Sequence, residues 1–150
     1  AYENLIFGYH HQEPFSKSSI LKEREILSFS KKVMEEYDVR PRSPQLITSN
    51  FSGGNQQKII LSRELNESPK ILLVGQPTRG VDIGAIEFIH QRLIDMRDKG
   101  AAILLVSVEL DEVLSLSDRI LVMFDGNIVG ERINKDVTDR ELGLLMAGVA

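Results

Sequence analysis

Two short runs, Ile71-Leu72-Leu73-Val74 and Ile103-Leu104-Leu105-Val106, contain no polar side chain. A strand reads that way when both of its faces are covered, as in a parallel sheet flanked by helices. Between them, Ile83 to Lys99 sets Ile86, Ile89, Leu93 and Met96 at helical spacing, and Gly100 stands where that helix should end. Strand, helix, strand in that order predicts an α/β fold. The pattern continues with a short helix over Glu109 to Leu116. Arg119–Phe124 and Asn127–Ile133 then flank Asp125-Gly126, a dipeptide that favours a tight hairpin. Thr138 with Glu141 three residues on forms a capping box, which predicts a closing helix to Met146.

The first fifty residues have a different texture. Tyr2 to Tyr9 predicts a short helix, broken by His10-His11-Gln12-Glu13-Pro14. Lys22 to Tyr37 predicts a second helix, with Ile26, Phe29, Val33 and Tyr37 on one stripe. Lys31-Lys32 and Glu35-Glu36 then form i,i+4 pairs on its solvated side. Val39 to Asn50 carries Pro41 and Pro44 and reads as a loop. A helical subdomain over 1–50, without strands, is therefore expected ahead of the α/β part over 51–150.

Composition excludes several function classes. The net charge of -4 leaves no global positive field for nucleic acid or anionic lipid. With no cysteine, the chain has neither disulfides nor thiolate metal sites. No apolar run approaches the ~20 residues that span a bilayer. His10 and His11 sit in a Pro-containing turn without a second ligand cluster, and His90 lies on the amphipathic helix, so no metal site is expected.

The sharpest local feature is Phe51-Ser52-Gly53-Gly54-Asn55-Gln56-Gln57-Lys58. Adjacent glycines let a ligand approach the backbone. Ser52 adds a hydroxyl, and the helix predicted over Gly54 to Leu65 aims free N–H groups and its positive end back at the loop. Such a site suits phosphate. A plain Ser-Gly-Gly turn that starts a helix fits the octapeptide equally well.

The octapeptide resembles the signature loop of ATP-binding cassette proteins. Behind it follow an apolar strand ending in Gln76-Pro77-Thr78, then Arg79-Gly80-Val81-Asp82, then a strand ending in Ser107-Val108-Glu109. This is similar to the family's order of signature, Walker B, D-loop and switch region, and it implies a P-loop NTPase-like fold. Asn55-Gln56-Gln57-Lys58 and Thr78 to Ala85 resemble importers of simple sugars and nucleosides, with the nucleoside branch favoured, and in particular the second, C-terminal cassette of a fused pair. The resemblance implies that Ser52, Gly53, Gly54, Asn55 and Gln56 close over nucleotide held by another cassette, and that Asp82 lies in the D-loop at the same interface. An N-cap role for Asp82 is the simpler alternative.

The chain departs from the family in two respects. No Gly-x-x-x-x-Gly-Lys-Ser/Thr loop occurs in it, so a piece of a longer cassette is expected. Gly75 and Gln76 stand where Walker B would supply Asp and Glu, and Val108 where the switch histidine would be. Glycine offers no oxygen to Mg²⁺, and glutamine cannot take a proton from water. A hydrolytic site built on these places should be weak. The resemblance implies ATP and Mg²⁺ in the intact transporter, none bound by this chain alone, and a location at the cytoplasmic membrane face. It implies as partners another cassette, permease subunits and, indirectly, a binding protein, with no nucleic acid. A cassette protein acting on nucleic acid or ribosomes, or a simple interaction module, are the competing readings. Cutting through the sheet would also leave edges prone to non-native dimerisation.

Overall fold

The computed structural model describes residues 1–149 and divides into two compact units, residues 1–72 with 77–102 and residues 73–76 with 103–150. The first contains α1 (Tyr2–Leu5), β1 (Ser16–Lys17), β2 (Ile20–Leu21), α2 (Glu23–Glu36), a 3-10 turn (Thr48–Asn50), α3 (Gly53–Leu65) and α4 (Ile83–Asp98). Its main core gathers Leu5, Val33, Met34, Tyr37, Val39, Phe51 and Ile59. A satellite of Ile6, Phe15 and Ile26 lies beside Tyr2, Tyr9 and Phe29.

The helix predicted over Tyr2 to Tyr9 stops at Leu5 and gives way to single turns, Phe7 N donating to Asn4 O and Tyr9 N to Ile6 O. Gly8, at φ 104°, lies outside any right-handed helix. The strand-free subdomain is also corrected: β1 and β2 pair antiparallel, with Ser16 opposite Leu21 and Lys17 opposite Ile20. The turn between them puts Ser18 and Ser19 at φ 51° and 65°, a conformation in which Asn and Gly advertise themselves and serine does not. On α3, Ile59 is buried and Ile60 is 46% exposed, because the two are separated by a 100° rotation about the helix. On α4, Ala85, Ile89, Leu93 and Met96 are buried and Ile86 is half-buried.

β3 (Ile71–Gly75) and β4 (Ala102–Val106) form a two-stranded parallel sheet. Ala102 N donates to Lys70 O at 2.9 Å at one end and Gln76 N to Val106 O at 2.8 Å at the other. Burial on both faces does not hold. Leu72 is buried, whereas Ile71, Leu73, Leu104 and Val106 are exposed. Successive side chains alternate between faces, and among the described residues nothing covers the second face.

The other unit adds α5 (Leu110–Leu116), β5 (Arg119–Phe124), β6 (Asn127–Ile133) and α6 (Asp139–Met146). β5 and β6 pair antiparallel around Asp125 (φ 45°) and Gly126 (φ 75°), with an irregularity between Val122 and Met123. Ile120 and Val122 of β5 pack against Leu142 and Leu145 of α6. The Thr138 hydroxyl oxygen accepts from Glu141 N at 3.3 Å, which is one half of the predicted capping box, while the Glu141 carboxylate accepts from Arg132 Nε.

Candidate functional site

Ser52 is the N-cap of α3, with extended backbone (φ -60°, ψ 158°), yet its hydroxyl makes no capping bond. It accepts instead from Asn55 Nδ2 at 2.9 Å. Asn55 Oδ1 in turn accepts from the backbone N–H of Arg40 at 2.7 Å. Gln56 Nε2 donates to Phe51 O at 2.8 Å, bracing the loop from behind. Ser52 and Gly53 are exposed and Gly54 is buried. The opening N–H groups of a helix have no intrahelical partner, and its dipole places partial positive charge there. The exposed part of the loop is thus a donor surface fit for an anion.

The two glycines also answer to their own chain. A Cβ on Gly54 would stand 2.9 Å from Ala85 Cβ and 3.0 Å from Asp82 Oδ2, and one on Gly53 would stand 3.2 Å from Gly80 O. α3 therefore begins in close contact with the segment that begins α4. Asp82 caps α4, its Oδ1 accepting from Ala85 N at 2.9 Å, so the simpler reading of that residue holds in this structure.

A cavity of about 270 Å³ adjoins this contact, lined by Asp38, Arg40, Gly54, Asn55, Lys58 and Asp82 among others. Asp38 is its electrostatic pivot. Its carboxylate accepts from Arg40 Nε at 2.9 Å, with Arg42 Nη2 at 3.6 Å and Lys58 Nζ at 3.9 Å. The hydrogen bond from Arg40, reinforced by these cations, holds the Asp38 carboxyl below the usual carboxylate range. Lys58 Nζ also donates to Asp38 O at 3.2 Å. Sequence reasoning did not reach Asp38 and Arg40. Pro41 marked the place as a turn, but nothing in a single sequence pairs it with residues 52–58.

Gly75, Gln76 and Val108 belong to the other unit. Gly75 ends β3 in open space, with no atom within 4 Å of a Cβ built there. Gln76 takes a left-handed backbone (φ 50°) and spends its N–H on Val106 O. Val108 is 61% exposed. None of the three carries a carboxylate or a ring nitrogen. Among the described residues no group of three His, Cys, Asp or Glu side chains is arranged to hold a metal ion.

The chain matches none of the family profiles compared. It is 48% identical, over 97% of its length, to the nucleoside import ATP-binding protein NupA of Lactococcus lactis. It is 44% identical, over the same share, to the guanosine import ATP-binding protein NupO of Bacillus subtilis. Among solved structures, MJ1267, an ATP-binding cassette of an ABC transporter, superposes with TM-score 0.68 at 26% identity, over 99% of this chain and 60% of that one.

The chain belongs to the ATP-binding cassette family.

It spans 29% of the length of those two curated relatives. A further cassette-containing structure, a putative metal-chelate type ABC transporter in an inward-facing conformation, agrees in fold with TM-score 0.74 at 15% identity. This cassette segment is α/β, with a small parallel sheet, a C-terminal antiparallel hairpin and a closing helix.

Proposed function

We propose that this cassette segment is the C-terminal part of a second cassette in an importer of nucleosides or simple sugars, in which residues 51–58 close over ATP held by a partner cassette. On this reading residues 1–50 form the helical subdomain that faces the permease. Ser52, Gly53, Gly54, Asn55 and Gln56 then serve the partner's site. The observation that carries it is the start of α3: a serine whose hydroxyl does not cap its own helix, beside an exposed glycine. The relatives' names, nucleoside import and guanosine import, support the cargo class.

Two sites of unequal strength follow. Gly75, Gln76 and Val108 leave the segment's own side without a metal-steering acid, a water-directed carboxylate or a phosphate-reaching imidazole, so that site hydrolyses poorly. ATP and Mg²⁺ are the ligands of the intact transporter. A second cassette, permease subunits and, through them, a substrate-binding protein are its partners. The transporter holds the segment peripherally at the cytoplasmic membrane face; no helix among the described residues is long and apolar enough to cross a bilayer. Asp82, besides capping α4, sits at the cassette interface.

The test is Ser52→Arg in the full-length polypeptide assembled with its permease. A bulky cation would fill the γ-phosphate space, and ATPase activity should fall to background while nucleotide still binds. Undiminished turnover would remove the loop from the partner's site.

A further inference from the structure

We propose that Asn55 is a positioning residue, fixing the direction of the Ser52 hydroxyl and fastening it to the turn at residues 38–40; this rests on the assignment of residues 51–58 to the partner's ATP site. The bond directions carry the argument. The N–H of Arg40 can only donate, so the Asn55 atom that meets it at 2.7 Å must be the carbonyl oxygen. The amide nitrogen is then the atom 2.9 Å from Ser52 Oγ, and Ser52 must accept. A hydroxyl that accepts there keeps its own proton for another acceptor. The Ser52 oxygen accepts from no backbone N–H of α3, so the Asn55 amide is the group of that helix that holds it. A phosphate oxygen in front of the loop would receive that proton.

A second attachment ties the same turn to the same helix. Lys58 lies three residues after Asn55 on one side of α3, and its Nζ donates to Asp38 O at 3.2 Å. The turn is thereby held at Arg40 by an acceptor and at Asp38 by a donor. Displacement of the turn, which connects α2 to the stretch leading into the loop, would pull on Asn55 and re-aim Ser52. The turn and the phosphate-facing hydroxyl form one mechanical unit.

A double-mutant cycle in the full-length transporter tests this, reading kcat and KM for ATP in Ser52→Ala, Asn55→Ala and the double variant. A hydrogen bond to a charged phosphate is worth about tenfold or more in rate, so each single change should lower kcat by about that factor with KM little moved. The double variant should be no slower than Ser52→Ala alone. A merely structural role for Asn55 would instead multiply the two losses, and that outcome, or a wild-type rate in Asn55→Ala, overturns the proposal. Asn55→Asp covers the case in which the alanine variant fails to assemble. Its carboxylate keeps the shape and the bond from Arg40 but takes the Ser52 proton, so it should be as slow as predicted for alanine; unchanged turnover there is equally fatal. Ser52→Arg run in parallel separates the two ideas. If it is fully active, the assignment of the loop to the partner's site has failed; if it is dead while the cycle is additive, only the positioning role has.

Discussion

Gly54 shows how one residue can be constrained from two sides. Its place beside an exposed donor surface suggests a ligand, but the contact that forbids a side chain is with Ala85 and Asp82 of its own chain. Gly54→Ala should therefore destabilise the fold by about 1–3 kcal/mol, the usual cost of forcing a methyl into a packed contact. Denaturant unfolding of the full polypeptide without nucleotide would detect the loss; a variant as stable as wild type would mean that α4 shifts to make room. The sequence displayed the glycine pair plainly, yet not this reason for it, because Ala85 lies thirty-one positions away. Asn55 was legible as part of the loop for the same reason, whereas its bond to Arg40 was not. A side chain's type is printed in the sequence, but a partner brought close by a fold is not.

At the scale of elements, strong periodicity translated directly and weak punctuation did not. α2, α3, α4, the β5–β6 hairpin and the capped α6 lie where their stripes and turn residues put them. The β1–β2 hairpin escaped notice because its left-handed turn is built of serines. The two apolar strands were correctly placed but wrongly covered: a run of four apolar residues describes what a strand is suited to, not which layers the chain itself supplies. Tyr9 links elements in a way that pH can probe. Its hydroxyl donates to Leu5 O at 2.7 Å, with Arg63 O of α3 at 3.3 Å. Burial pushes its pKa up from 10.0 to about 12, against the pull of Arg63. The phenol ionises less readily folded than unfolded, so its contribution is whole below pH ~10 and is lost as pH rises toward about 12. Thermal melts across that window should show falling stability with a gentler slope in Tyr9→Phe. Equal slopes would place the alkaline sensitivity elsewhere.

For the molecule as a whole, the decisive fact is the open sheet. Ile71, Leu73, Leu104 and Val106 present a row of apolar side chains to solvent, and β3–β4 has only two strands among the described residues. Unpaired strand edges and apolar faces recruit other chains. The 150-residue chain in isolation should therefore self-associate with rising concentration. Sedimentation velocity should show a concentration-dependent shift toward dimer and larger species, and a single monomer boundary throughout would show that the face is tolerated.

Gly75 has a consequence of another kind. A Cβ added there would meet no heavy atom within 4 Å, whereas one on Gly54 would press on Ala85 and Asp82. The two positions thus differ in kind: packing within the chain holds Gly54 to glycine, and no such contact holds Gly75.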